Sequence, residues 1–333
     1  MLFERLAPAL HLIEPERAHR LSLRALRMGL HSGFRADDTL AVEVSGLRFA
    51  HPLGLAAGYD KDGEAVGALW ACGFSHVEVG TVTPRPQPGN ARPRVFRLSQ
   101  DRAVINRYGF NSAGAEAVRA RLERLGDRRG ILGVNIGANK DSVGAGAAAM
   151  DYVTGVETFG PLADYLTVNI SSPNTAGLRD LQGDPLADLL ARVLEARERL
   201  ARHVPIWLKI APDLDAAQMD AIAKAAEGVD ALVVSNTTVT RPGLASPHAQ
   251  ETGGLSGRPL FGLATRTLAA MRERTALPLV GVGGVEDTAT AWAKIEAGAS
   301  LVQLYTALVY RGPGLVREIV TGLKRSQAGA GNV

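Results

Sequence analysis

The eight residues Val168-Asn169-Ile170-Ser171-Ser172-Pro173-Asn174-Thr175 hold the densest chemistry in the chain. Two carboxamides, a group of hydroxyls and a proline follow the apolar run Tyr165 to Val168, which reads as a buried β-strand. Each Asn presents donors and acceptors side by side, the complement of a flat ring bearing alternating C=O and N–H groups. The same residue types also build ordinary Asx and Ser turns, so the segment alone supports either a binding site or a turn. Polar residues recur after other apolar runs: Asp60 and Lys61, Thr81, Asn135, Lys209, Ser235 to Thr237, Gly283 and Gly284, Tyr305 and Thr306. No His lies in these segments to complete a Ser–His–acid triad, which argues against acyl transfer.

What must position them is a repeating scaffold. From Ser45 onward, strand-like runs at 52–56, 76–82, 131–136, 165–170, 206–210, 231–234, 279–282 and 301–304 alternate with helical spacing, as at 184–203, 215–227, 263–275 and 287–297. Continuous rather than alternating hydrophobicity marks strands buried on both faces, as in a parallel sheet. Eight such units predict an α/β fold of the (β/α)8 TIM-barrel type, whose functional groups gather at the C-terminal strand ends. A doubly wound sheet is the competing architecture, but it usually carries Gly-x-Gly-x-x-Gly after an early strand. The first strand here ends in Ala56-Ala57-Gly58 instead.

The chain has 333 residues, 46% hydrophobic and 21% charged, which is ample for a globular core. Net charge is +3 and no apolar run approaches the roughly 20 residues that span a bilayer. The start of the chain lacks the pattern of a secretory signal. One cysteine, Cys72, excludes an internal disulfide framework and a cysteine zinc site, and reads as a buried structural thiol. The first forty residues differ from the rest. Leu2, Phe3, Leu6, Leu10 and Ile13, then Leu21, Leu26 and Leu30, recur at helical spacing among Arg5, Arg17, Arg20, Arg24 and Arg27. Pro15-Glu16-Arg17 opens the second helix. Two such basic amphipathic helices could lie on an anionic membrane surface or cap the barrel.

These residues match a family. The chain resembles the quinone-linked (class 2) dihydroorotate dehydrogenases through ordered segments that run nearly end to end. They are Pro15-Glu-Arg-Ala-His-Arg20, Leu55-Ala-Ala-Gly-Tyr-Asp-Lys-Asp-Gly63, Gly80-Thr-Val-Thr-Pro-Arg-Pro-Gln-Pro-Gly89, Asn106-Arg-Tyr-Gly-Phe-Asn111 and Asn135-Ile-Gly-Ala-Asn-Lys140. The Asn169–Thr175 segment follows, then Lys209-Ile-Ala-Pro-Asp213, Ser235-Asn-Thr-Thr238, Thr252-Gly-Gly-Leu-Ser-Gly257, Gly281-Val-Gly-Gly284 and Gln303-Leu-Tyr305. The resemblance implies oxidation of (S)-dihydroorotate to orotate with one FMN per chain, then electron transfer to a membrane quinone, in UMP biosynthesis.

By the same resemblance Ser172 is the base. A serine hydroxyl is a weak base at neutral pH and needs a relay, for which Thr175 is the candidate, with Phe110 shielding the path. Lys61, Asn106, Arg107, Tyr108, Gly109, Phe110, Asn169, Asn174, Asn236 and Thr237 would hold the substrate. Ala57, Gly58, Tyr59, Asp60, Lys61, Thr81, Asn135, Asn169, Lys209, Ser235, Gly257, Gly284, Tyr305 and Thr306 would hold FMN. Lys209 would lie near flavin N1, and the loops after strands 7 and 8 would cradle the phosphate. His19, Arg97 and Tyr305 would line a quinone tunnel; no metal is implied. Ser172, where class 1 enzymes carry cysteine, and the N-terminal helices both point to class 2.

The resulting expectation is a two-helix extension over 1–40 and an FMN-binding barrel over 41–333. The protein would be a monomer, peripheral on the cytoplasmic side of the cell membrane, with no nucleic-acid partner. Residues 99–102 and 144–149 read as exposed filler. Rival readings are a class 1 dehydrogenase, a flavin-dependent tRNA dihydrouridine reductase and a non-enzymatic membrane-binding barrel. The second needs a catalytic cysteine and an RNA-binding extension, and neither is visible.

Overall fold

A computed structural model describes residues 11–330 apart from 32, 37, 127 and 184. The first expected helix falls almost wholly outside the described residues. The second is present as Pro15–Arg27, with proline in its first turn. The Glu14 carboxylate caps it by accepting from Glu16 N–H and Arg17 N–H, which satisfies two of the N–H groups that a helix start leaves without partners.

A hairpin comes next, β1 (Val42–Val44) and β2 (Leu47–Phe49), turned by Ser45 and Gly46. Both turn residues have positive φ, as a two-residue type I′ hairpin requires. Thereafter the chain lays down β3 (Leu53–Leu55), β4 (His76–Val82), β5 (Val95–Leu98), β6 (Ala103–Asn106), β7 (Ile131–Ile136) and β8 (Tyr165–Asn169). The remaining strands are β9 (Ile206–Ile210), β10 (Ala231–Val234), β11 (Gly254–Gly257), β12 (Leu279–Val282) and β13 (Leu301–Leu304). Eight of them close a parallel barrel in the order β3-β4-β7-β8-β9-β10-β12-β13, with β13 returning to β3. The (β/α)8 expectation holds. Six of the eight strands have the expected bounds, and the other two differ by one residue at one or both ends.

Side chains alternate inward and outward along a strand, so the barrel interior is layered. Its lower part is apolar: Tyr165, Trp207, Ala231, Val233, Val280 and Leu301 pack with Phe49 and Val44 of the hairpin, which plugs the bottom. Tyr165 and Trp207 stack at 3.6 Å. Burying a ring as fully as Phe49 contributes roughly 1.5–3 kcal/mol. Further up, four of the strands turn polar, with Glu78, Thr167, Lys209 and Gln303 all buried. The larger apolar cluster lies between the barrel and its helices. Cys72 belongs to it, a free and buried thiol whose pKa burial pushes up to about 12.

Over the C-terminal end of the barrel lies a sheet that sequence reading missed. Strands β5, β6 and β11 pair antiparallel around Phe96, Leu98, Ala103, Ile105 and Leu255. Residues 99–102 form its hairpin turn. Ser99, Gln100 and Arg102 are exposed as expected, but Asp101 is no filler. Its carboxylate accepts from Ala245 N–H and Ser246 N–H and ties down a distant loop. In 144–149, residues 144–147 are exposed and Ala148 is buried.

Candidate active site

The polar residues at the strand ends surround one cavity of about 1210 Å³. It is lined by Ala57, Gly58, Tyr59 and Lys61 after β3, by Thr81 at the end of β4, and by Asn169, Ser172 and Asn174 after β8. Lys209 on β9, Ser235 to Thr237 after β10, Gly283 and Gly284 after β12, and Tyr305 and Thr306 after β13 complete the ring. The roof contributes Asn106, Tyr108, Gly109, Phe110 and Gly257. The cavity continues beneath the N-terminal helix, where His19, Arg97 and Tyr305 line it.

The amides of Asn135, Asn169 and Asn236 form one network, and Asn106 and Asn174 form a second pair. Asn169 Nδ2 donates to Thr81 Oγ1 at 2.9 Å and to Asn135 Oδ1 at 3.1 Å, while Thr81 Oγ1 donates to the same Asn135 oxygen at 2.6 Å. Asn236 Nδ2 donates to Ser171 Oγ at 3.0 Å, and Asn174 Nδ2 to Asn106 Oδ1 at 3.2 Å. Ser172 is 6% exposed and its Oγ accepts from Asn174 N–H at 3.3 Å. Phe110 has φ +53°, directly after Gly109 at +70°. A phenylalanine held in that region is strained, and such strain concentrates at functional sites.

Beneath this network lies Glu78, which sequence reading missed. Its carboxylate accepts from Asn135 Nδ2 at 2.8 Å, Gln303 Nε2 at 3.0 Å, and Tyr165 and Thr167 hydroxyls at 3.1 Å. Burial lowers the pKa of Lys209, and the charge of Glu78 opposes that shift. The carboxylate therefore helps keep a lysine charged at the cavity floor, and it orients the Asn135 amide. Its sequence signal was a lone acid inside the apolar run 76–82.

Several expected residues sit elsewhere. Asn135 lies under the cavity rather than on its wall. Asp60 is buried and caps the next helix, accepting from Glu64 N–H and Ala65 N–H at 2.7 Å each. Arg107 turns away from the cavity to pair with Glu251 at 2.8 Å and lie over Phe96. Thr175 is buried, has no hydrogen-bond partner for Oγ1 among the described residues, and does not line the cavity. No hydrogen bond joins it to Ser172. Arg179 is a second residue missed: it donates to Ser171 O at 3.0 Å and Thr237 O at 2.8 Å while pairing with Asp213 at 2.9 Å. It clamps the serine-bearing loop to the loop after β10.

Charged and aromatic groups set the electrostatics. Lys61 is held over the Tyr108 ring at 4.9 Å, and burial lowers its pKa to about 8. Beneath the N-terminal helix, His19 meets Tyr59 edge-on at 5.0 Å, and Tyr59 meets Tyr305 at 5.5 Å. Tyr59 OH and Ser22 Oγ share a hydrogen bond of 3.1 Å. Burial brings the His19 pKa down to about 4 and takes that of Tyr59 up to about 12. Arg97 Nη1 donates to His11 O at 2.8 Å.

Comparison with known proteins agrees with this geometry. The family model described as dihydroorotate dehydrogenase matches residues 39–326. Proteins named dihydroorotate dehydrogenase (quinone) from Erythrobacter litoralis and Brucella ovis are each 54% identical, over 98% and 97% of this chain and 95% and 91% of theirs. Among solved structures, DHODH from Eimeria tenella in complex with ferulenol superposes with a TM-score of 0.91 at 41% identity, covering 96% of this chain and 93% of that one. Its ligand-free form gives 0.89, with coverage of 95% and 96%. The chain belongs to the quinone-dependent (class 2) dihydroorotate dehydrogenase family.

Proposed function

We propose that this protein oxidises (S)-dihydroorotate to orotate with FMN and passes the electrons to a membrane quinone, as a step of UMP synthesis. The observation that carries the reading is the continuity of one cavity. It runs from Ser172 and the asparagines to the aromatic pocket under the N-terminal helix. Its volume exceeds the roughly 300–1,000 Å³ of an ordinary ligand site, which leaves room for a cofactor between two substrates.

The residues present fit FMN. A Cβ on Gly284 would stand 2.5 Å from Phe261 Cα, and one on Gly257 2.4 Å from Arg102 O. Both positions require glycine, and such side-chain-free backbone with positive φ suits an anion nest. Gly257, Gly284, Tyr305 and Thr306 would hold the phosphate. Ala57 to Lys61, Thr81, Asn169, Lys209 and Ser235 would line the ring system, with Asn135 supporting from below. When bound, FMN supplies the acceptor for the substrate hydride.

The chain's own residues do the rest. Asn106, Asn169, Asn174 and Asn236 with Thr237 bind the ring edges, so that an analogue lacking those groups would leave buried amides unpaired. Lys61 pairs with the carboxylate. Ser172 Oγ takes the proton from the ring carbon. The unsatisfied Oγ1 of Thr175 supports it as the first relay partner, since a buried hydroxyl without a partner is costly. Phe110 screens that path from water.

Residues 1–40 act as the quinone- and membrane-facing extension of the barrel. Support comes from Leu12, 89% exposed, and the exposed Leu21, Met28 and Leu30, which adjoin exposed Arg17, Arg20, Arg24 and Arg27. Among the described residues no helix is long and apolar enough to cross a membrane. Contact with the anionic inner face of the cell membrane would therefore be peripheral.

The test is anaerobic. Dihydroorotate should bleach the flavin absorbance of the purified protein, and a soluble quinone, but not fumarate, should restore it. Ser172→Ala should keep its FMN and bleach about 10²–10⁴-fold more slowly. A flavin that dihydroorotate leaves oxidised would defeat the assignment.

A further inference from the structure

The N-terminal helix does more than cover the cavity. Glu16, in its first turn, is buried. Its carboxylate accepts from Arg94 Nε at 3.1 Å and Nη2 at 2.9 Å, and from Arg92 Nε at 3.1 Å and Nη2 at 2.8 Å. Burial works to raise the Glu16 pKa, but the two guanidinium groups outweigh it and hold the carboxylate charged. Arg94 is itself only 4% exposed. Its remaining nitrogen, Nη1, donates to Pro88 O at 2.6 Å and Asn90 O at 3.0 Å.

Asn90 carries the connection inward. Its Nδ2 donates to Arg107 O at 3.0 Å and to Asn174 O at 3.1 Å. Its carboxamide also lies where a Cβ on Gly109 would be, at 2.7 Å. Asn174 and Gly109 both line the cavity, and Asn174 holds Asn106 through its own amide. Arg94 further rests 5.3 Å from the centroid of the Tyr108 ring, the ring over which Lys61 is held. Every link from Glu16 to the substrate-facing amides is thus a hydrogen bond between buried or half-buried groups.

We propose that Glu16, Arg94 and Asn90 are positioning residues for dihydroorotate: the helix that faces the quinone also fixes Asn174, Asn106 and Gly109 through this chain. The proposal rests on the substrate assignment made above. Arg92 provides an internal control, because it binds Glu16 equally well yet is 59% exposed along its side chain, and among the described residues its guanidinium hydrogen-bonds only to Glu16.

The experiment uses the FMN-loaded full chain. Half-saturating dihydroorotate is measured from anaerobic bleaching, and half-saturating soluble quinone from recovery. Glu16→Gln should raise the first about tenfold and change the second by no more than about twofold, and Asn90→Ala should do the same. The double variant should show about tenfold rather than about a hundredfold, because residues in one network are not additive. Arg92→Gln should stay within about twofold of the parent.

If Glu16→Gln loses its flavin, Asn90→Ala, which leaves the helix untouched, still gives the answer. Unchanged dihydroorotate saturation in Asn90→Ala overturns the proposal. So does an equal rise in Arg92→Gln, which would mean that loosening the helix alone is responsible. Failure of the parent protein to bleach would instead strike the functional assignment.

Discussion

Lys61 shows how one buried residue sets a measurable property. Burial brings its pKa to about 8, so the ammonium is charged below that pH and neutral above it. A carboxylate ligand is attracted only to the charged form, and binding must weaken as pH rises through 8. Orotate isolates the effect, since no chemistry follows its binding. Its Kd should be flat below about pH 7 and then rise towards tenfold per pH unit above 8. Lys61→Met should bind weakly at pH 7 and lose the dependence. A profile flat to pH 10 would remove Lys61 as the carboxylate partner. This residue was legible in the sequence because it follows an apolar run inside a distinctive segment. Arg179 was not, since its value lies in a pairing with Asp213 that no local pattern announces. The capping role of Asp60 was hidden for a related reason: a carboxylate at a strand end gives no local sign that it caps the following helix.

Among elements, the loops after β12 and β13 are the most exacting. Gly284 has φ +77° and no room for a Cβ. Gly284→Ala should therefore yield protein with normal far-ultraviolet circular dichroism but little bound FMN after gel filtration. Normal cofactor content would show that the loop yields and is no fixed cradle. The barrel strands could be read from sequence because strands buried on both faces are unbroken apolar runs. The roof could not. Its strands have four residues each, with burial alternating along β5 and β6, and β11 finds its partner β6 about 150 residues away in the chain. Local spacing carries no trace of such pairing, although the roof supplies Asn106 and Gly257 to the cavity. The second helix was visible through Pro15, whereas its buried Glu16 looked like an ordinary first-turn acid.

At the scale of the molecule, the two ends of the barrel are built for opposite purposes. One is closed by the hairpin around Phe49; the other opens under the roof and the N-terminal helix, next to exposed leucines and arginines. Vesicles containing anionic lipid should sediment the protein at low salt. Leu21→Glu combined with Met28→Glu should release it while dihydroorotate still bleaches the flavin. Sedimentation equal to that of the parent would place membrane contact elsewhere. Neutral vesicles should retain less, because each arginine near an anionic surface adds about 1 kcal/mol. A different property of the whole follows from Cys72, the one thiol, sealed among the apolar side chains behind the barrel. No reagent reaches that sulfur while the native packing holds, and each alkylated molecule must have opened there at least once. The rate at which a single mass label accumulates therefore counts the spontaneous breathing of the core. Its slowing on addition of FMN or orotate would weigh each ligand's grip on the fold without any assay of turnover.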